Sequence, residues 1–125
     1  MSMIETPLLR GLERVLDQSA FRHQVIATNL ANVDTPGYRT RDVRQFTGEM
    51  EQAMSGDDSP FPQPAFAPVS HAINGLLERP DGNNVSVERE SLLLAQNQLR
   101  FTVAVAFMKD EFHRLSSAIS GGSGA

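Results

Sequence analysis

Residues 86–122, SVERESLLLAQNQLRFTVAVAFMKDEFHRLSSAISGG, decide the fold. No proline interrupts the run. Val87, Leu94, Phe101, Val105, Met108, Phe112, Leu115 and Ile119 recur at intervals of three and four, and Ser91 and Gln98 are the polar members of the same seam. Such spacing marks a helix packed along another helix. Ser86 stands where an N-cap is needed, and Glu88 and Glu90 place negative charge beside the positive helix end. Gly121-Gly122 is expected to stop the helix near residue 120. A second stripe, Leu92, Ala95, Leu99, Val103 and Ala106, makes the middle of this helix apolar on most sides. One partner helix is too narrow to cover that surface, so further cover is expected from neighbouring molecules.

The partner within the chain lies at its other end. Thr6-Pro7 is a helix-start signal, since Thr caps and Pro fits the first helical position. Leu9, Leu12, Leu16, Ser19, His23, Ile26, Leu30 and Val33 then follow the same 3-4 spacing. A helix over residues 7–34 is expected to end before Pro36, because the residue preceding a proline avoids helical backbone. Thr35-Pro36-Gly37-Tyr38 reads as a tight turn, with Pro at its second position and Gly supplying positive φ at its third.

Residues 35–84 form a turn and an irregular linker in this reading. Arg39 to Phe46 suits an extended segment or short strand, and Phe46 to Met54 one or two helical turns. Ser55 to Pro68 carries Pro60, Pro62, Pro64 and Pro68, which rule out a helix or an inner strand. Asp81-Gly82-Asn83-Asn84 is a second turn cluster. The expected class is therefore mainly α: a single domain whose two long terminal helices pack as a coiled-coil-like hairpin, with an irregular or short-β, Pro-rich middle and a flexible tail at 121–125. So little self-contained core suggests that full folding comes with assembly.

Composition narrows the function. The chain has 125 residues, a formal net charge of -4 and no cysteine. Nothing in that balance attracts nucleic acid, which needs a basic face. No thiol chemistry or disulfide is possible. The first ten residues, with Glu5 and Pro7 where a basic n-region belongs, do not read as a secretory signal, and no apolar run approaches the roughly 20 residues of a membrane span. His23, His71 and His113 lack metal-ligand spacing, so neither a metal nor another cofactor is expected. No nucleophile elbow or phosphate-binding glycine loop is present. A wall hydrolase would need its acid among Glu49, Glu51, Asp57 and Asp58, in a segment without a rigid scaffold.

Asn29-Leu30-Ala31-Asn32-Val33-Asp34-Thr35-Pro36-Gly37-Tyr38 closely resembles the A-N-x-A-N-x-x-T-P-G-Y signature of the flagellar rod and hook axial proteins, with Thr28 in place of the leading Ala. Gly82-Asn83-Asn84-Val85, then Glu90, then Leu94-Ala95-Gln96-Asn97-Gln98-Leu99-Arg100-Phe101, resembles the C-terminal helix of the smallest rod-protein class in that family. The Tyr-Glu-Ala-Asn stretch usual in other members is absent. The resemblance covers roughly residues 8–46 and 80–120.

It implies a structural, non-enzymatic subunit of the proximal rod of the bacterial flagellar basal body. Such a subunit lies in the periplasm, is exported there by the flagellar type III export machinery and serves a torque-transmitting shaft needed for motility. Implied partners are copies of itself, other rod subunits and the adaptor that joins rod to membrane ring. The residues expected to carry packing and assembly are Leu9, Leu12, Leu16, Ile26, Asn29, Leu30 and Asn32 in the first helix. In the second they are Leu94, Asn97, Leu99, Phe101, Val105, Met108, Phe112, Leu115 and Ile119. Asn29 and Asn32 share a helix face, which suits either contact with a neighbouring subunit or local satisfaction of carbonyls at the helix end. A helical adaptor or export chaperone of the flagellar system is the alternative reading.

Overall fold

The computed structural model describes residues 7–43 and 69–123. The Thr6 cap, the Phe46–Met54 turns, the Pro-rich stretch, the four acids considered for hydrolysis and residues 124–125 lie outside that set. Four elements follow in order: helix α1, Pro7–Ala31; strand β1, Arg41–Val43; strand β2, Ser70–Ala72; and helix α2, Val87–Ser123. With 25 and 37 residues the helices are about 37 and 55 Å long.

The two helices pack antiparallel. Asn29 near the end of α1 meets Glu90 in the first turn of α2, and Ser19 meets Asn97 two turns further along. Between them runs a thin apolar strip of Leu9, Leu12, Val25, Ile26 and Ala104, continued by Val43 and Val85 at the strand end. β1 and β2 pair antiparallel with Asp42 opposite His71. So short a two-stranded ribbon is marginal alone. Arg22 of α1 pins it through a two-pronged ion pair with Asp42, at 2.9 and 3.0 Å.

Several expectations shift by a residue or more. Helix α1 stops at Ala31 rather than 34, because Asn32 to Thr35 already form turns, with Thr35 N–H donating to the Asn32 carbonyl at 3.1 Å. Helix α2 does not stop at Gly121-Gly122 but runs through both. Glycine ends a helix when it takes positive φ, and Gly121 does not; the positive-φ glycines are 37, 75 and 82. The expected strand is three residues long, and its partner Ser70–Ala72, which carries no strand signature, went unforeseen.

The seams also turn. On α1 and the turn after it, Leu9, Leu12, Ser19 and Ile26 are buried and Leu16, Leu30 and Val33 partly so, but His23 is exposed and Arg22 faces inward instead. An α-helix repeats at 3.6 residues rather than 3.5, so drift alone would carry the inward face toward later positions by about 20° per heptad; the turn toward earlier ones follows the polar contacts of Arg22 and Asn29. By the end of α1 the buried residue is Asn29, not Leu30. On α2 the residues turned to α1 are Glu90, Asn97 and Ala104, with Leu93, Leu94, Val105, Met108, Glu111 and Leu115 partly covered. The expected seam members Val87, Ser91, Gln98, Phe101, Phe112 and Ile119 are exposed.

Candidate functional site

Two features stand out: a dense polar junction where the chain turns back, and an uncovered apolar surface on α2.

The junction begins with the turn after α1. Tyr38 N–H donates to the Thr35 carbonyl at 3.2 Å, closing Thr35-Pro36-Gly37-Tyr38 with Gly37 at φ 72°. A second turn, Arg79–Gly82, docks against it. The Gly37 N–H donates to the Asp81 carbonyl at 2.9 Å, and a Cβ on Gly82 would lie 3.5 Å from the Gly37 Cα. Two positive-φ glycines thus let two turns stack backbone to backbone.

Asn83 follows directly. Its Nδ2 lies 2.9, 3.0 and 2.8 Å from the carbonyls of Asn32, Val33 and Thr35. The Arg79 guanidinium also donates to the Val33 carbonyl. α1 has no basic residue in its last turn. The loop before α2 therefore supplies both the donors and the positive charge that a helix C-terminus favours. Asn84 ties the other side, accepting the Thr40 N–H at 2.6 Å and donating to the Ile73 carbonyl at 3.1 Å.

Asn29 and Glu90 sit at the centre, both fully buried. Asn29 donates to the Arg41 carbonyl at 2.8 Å and to Glu90 Oε2 at 3.0 Å, and accepts from the Tyr38 hydroxyl at 2.9 Å and the Arg41 N–H at 3.0 Å. Glu90 Oε1 accepts from the Thr40 hydroxyl at 2.6 Å and from Arg89 at 3.1 Å. Three donors, one of them the adjacent Arg89 guanidinium, meet the carboxylate, which is what a buried charge requires. Burial raises the Tyr38 phenol above its ordinary value of 10.0; the Arg41 charge lowers it and the Glu90 charge raises it further.

Asn32, by contrast, stays local. Its Nδ2 donates to the Thr28 carbonyl at 2.8 Å and its Oδ1 accepts from Thr35 at 3.0 Å. The two asparagines of the signature are thus unlike: one ties three segments of the chain together and one finishes a helix.

The second feature is apolar. Of the second stripe on α2, Leu92 is 60% exposed, Leu99 65% and Val103 45%, with Ala95 and Ala106 exposed beside them. Phe107 adds to this side, while Phe101, Phe112 and Ile119 stand open on the other flank. Among the described residues no group of three or more His, Asp or Glu forms a metal site, and no helix is long and apolar enough to cross a membrane.

A family model described as flagella basal body rod protein matches residues 16–39, the end of α1 and the first turn of the junction. Similarity to curated proteins extends over nearly the whole chain. The flagellar basal body rod protein FlgB of Bacillus subtilis (strain 168) is 30% identical across 91% of this chain and 94% of its own length. The FlgB of Salmonella typhimurium is also 30% identical, over 92% and 94%. That of Escherichia coli K12 is 28% identical over the same shares. The chain belongs to the FlgB family of flagellar basal body rod proteins.

FlgB-family membership makes it a structural subunit of the flagellar basal body rod. The junction residues Glu90, Thr40, Asn83, Asn84 and Arg79 escape a reading by periodicity, because buried Asn and Thr have the same composition as a solvated turn. One signal was available. Glu90, Asn97, Ala104 and Glu111 repeat every seven residues, a polar and small row hidden among apolar ones.

Proposed function

We propose that this FlgB-family chain polymerises through its terminal helices within the proximal, periplasmic part of the rod, forming a length of the shaft that transmits torque. It assembles with copies of itself, with other rod subunits and with the adaptor between rod and membrane ring. It reaches that place through the flagellar type III export machinery. Its work is mechanical, and no catalytic or cofactor role is assigned to it.

The observation that carries this reading is the uncovered apolar surface of α2 in a rod-family chain. Leu92, Leu99 and Phe107 are each more than half exposed. Contiguous apolar surface of this kind marks an assembly face. The junction supports the same reading, since it fixes the angle at which the hairpin presents that face.

The test is deletion of the gene in its host, followed by electron microscopy of basal bodies and a swimming assay. Membrane rings without rods, no swimming, and rescue by the intact gene are expected. Normal rods and swimming in the deletion strain would count against the proposal.

A further inference from the structure

The apolar pattern of α2 and the way α2 actually faces differ by a rotation. Leu94, Phe101, Met108 and Leu115 border both faces. The pattern pairs them with Ser91, Gln98, Val105 and Phe112, whereas the row turned to α1 is Glu90, Asn97, Ala104 and Glu111. Successive residues are about 100° apart, so exchanging one of two rows for the row one residue earlier turns the helix by about 50°. Burial of apolar area alone favours the other orientation, with Val105 and Phe112 against α1.

Something must hold α2 away from that orientation. Glu90 does so at the first turn, through the junction. Seven residues on, Asn97 is 3% exposed and donates from Nδ2 to the Ser19 carbonyl at 2.8 Å. The acceptor on α1 fixes which way the carboxamide points. Its Oδ1 is buried and meets no donor among the described residues. An apolar side chain would fill this place without leaving an unmet acceptor. The carboxamide therefore lowers stability where it stands, which argues for a role in geometry; buried polar groups are best attested as setters of register. Ser19, small and itself buried, lets the two helices come close enough for the contact.

We propose that Asn97 is a positioning residue that stops α2 from rolling about its own axis, and so keeps Gln98, Val105 and Phe112 from taking the place of Asn97, Ala104 and Glu111 against α1. This concerns the single chain and stands apart from the rod reading.

The chain has no cysteine, so one introduced thiol reports alone. Gln98→Cys and Arg100→Cys, both at exposed positions, are made separately in the full chain with and without Asn97→Ala, and the rate of thiol modification is read. A roll of about 50° turns residue 98 toward α1 and residue 100 away from it. The expected result is a several-fold fall in rate at 98 and a rise at 100. Unchanged rates overturn the proposal. A rise at both sites overturns it too, since loosening of the seam exposes both. If N97A loses its helical circular-dichroism signal, the same two rates are read in Asn97→Ser, which keeps a polar side chain too short to hold Ser19. Opposite shifts support the stop, and parallel shifts or none refute it.

Discussion

Asn29 uses both amide protons and its carbonyl oxygen inside its own chain, and Glu90 receives three donors in a place without water access. Such a network is stabilising only while complete, because each partner left unmet in a buried site costs more than the bond contributed. Glu90→Ala strands Asn29, Thr40 and Arg89 together and should cost about 3 kcal/mol in urea unfolding. Glu90→Gln, of similar shape and retaining an acceptor, should cost less; equal losses would mean that the junction depends on the charge and not on the retained acceptor. Tyr38 gives the network a pH dependence. It is the chain's single tyrosine, and there is no tryptophan, so absorbance follows it alone. Its phenol is raised in the folded state, by burial first, so the folded chain holds that proton more tightly than the unfolded chain does. The stability this confers is complete below pH 10.0 and is lost as pH rises through the higher folded value. A phenolate would also turn an acceptor toward Asn29 Oδ1, which now accepts from it. The urea midpoint should therefore fall above about pH 10, and Tyr38→Phe should flatten that fall. A slope unchanged by Tyr38→Phe would sink this assignment.

The elements divide into those a sequence displays and those it hides. Both helices are legible because apolar residues at intervals of three and four leave one reading for a long run without proline. The Pro36-Gly37 turn is legible because each residue type answers a backbone need. The docking of one turn on another is not, since Gly82 signals a turn but not what lies against it. Strand β2 is invisible because Ser-His-Ala has neither alternation nor branching; it exists because β1 is pinned by Arg22 and offers a free edge. The facing of α2 departs from the expected seam for a related reason. Counting apolar residues chooses the row that gains most from burial, and here two polar anchors hold a different row inward. The turn docking yields its own prediction. Gly82 has φ 83°, so Gly82→Ala is strained in its backbone whatever room its Cβ finds, and should cost about 1 kcal/mol in urea unfolding. The loss falls on the loop that caps α1. Hydrogen exchange should therefore speed up at the C-terminal turn of α1 before it does at residues near Leu12. Uniform acceleration along α1 would mean that the loop is not a local cap.

At the scale of the whole molecule, the described residues bury as many polar as apolar side chains, while most of the larger apolar residues of α2 stay at the surface. A chain built this way is held in shape by its junction, and in the proposed rod its apolar face is covered by neighbours. Phe101 separates the two contributions. It is 38% exposed, at the edge of the strip shared with α1. A carboxylate there can still reach water in the isolated chain, so Phe101→Asp should cost the monomer about 1–2 kcal/mol, chiefly in lost packing. In a rod whose neighbours close over that flank, the same charge is buried without a partner and costs several kcal/mol at every copy. The variant should keep its helical circular-dichroism signal in solution and yet fail to restore rods or swimming to the deletion strain. Leu99→Asp, at a position 65% exposed, should leave the monomer still less disturbed and fail in the same way if the other flank is also covered. Rods and swimming restored by both variants would place the assembly contacts elsewhere on the molecule. Restoration by Leu99→Asp alone would confine them to the Phe101 and Phe112 side, the flank that the proposed stop at Asn97 keeps open.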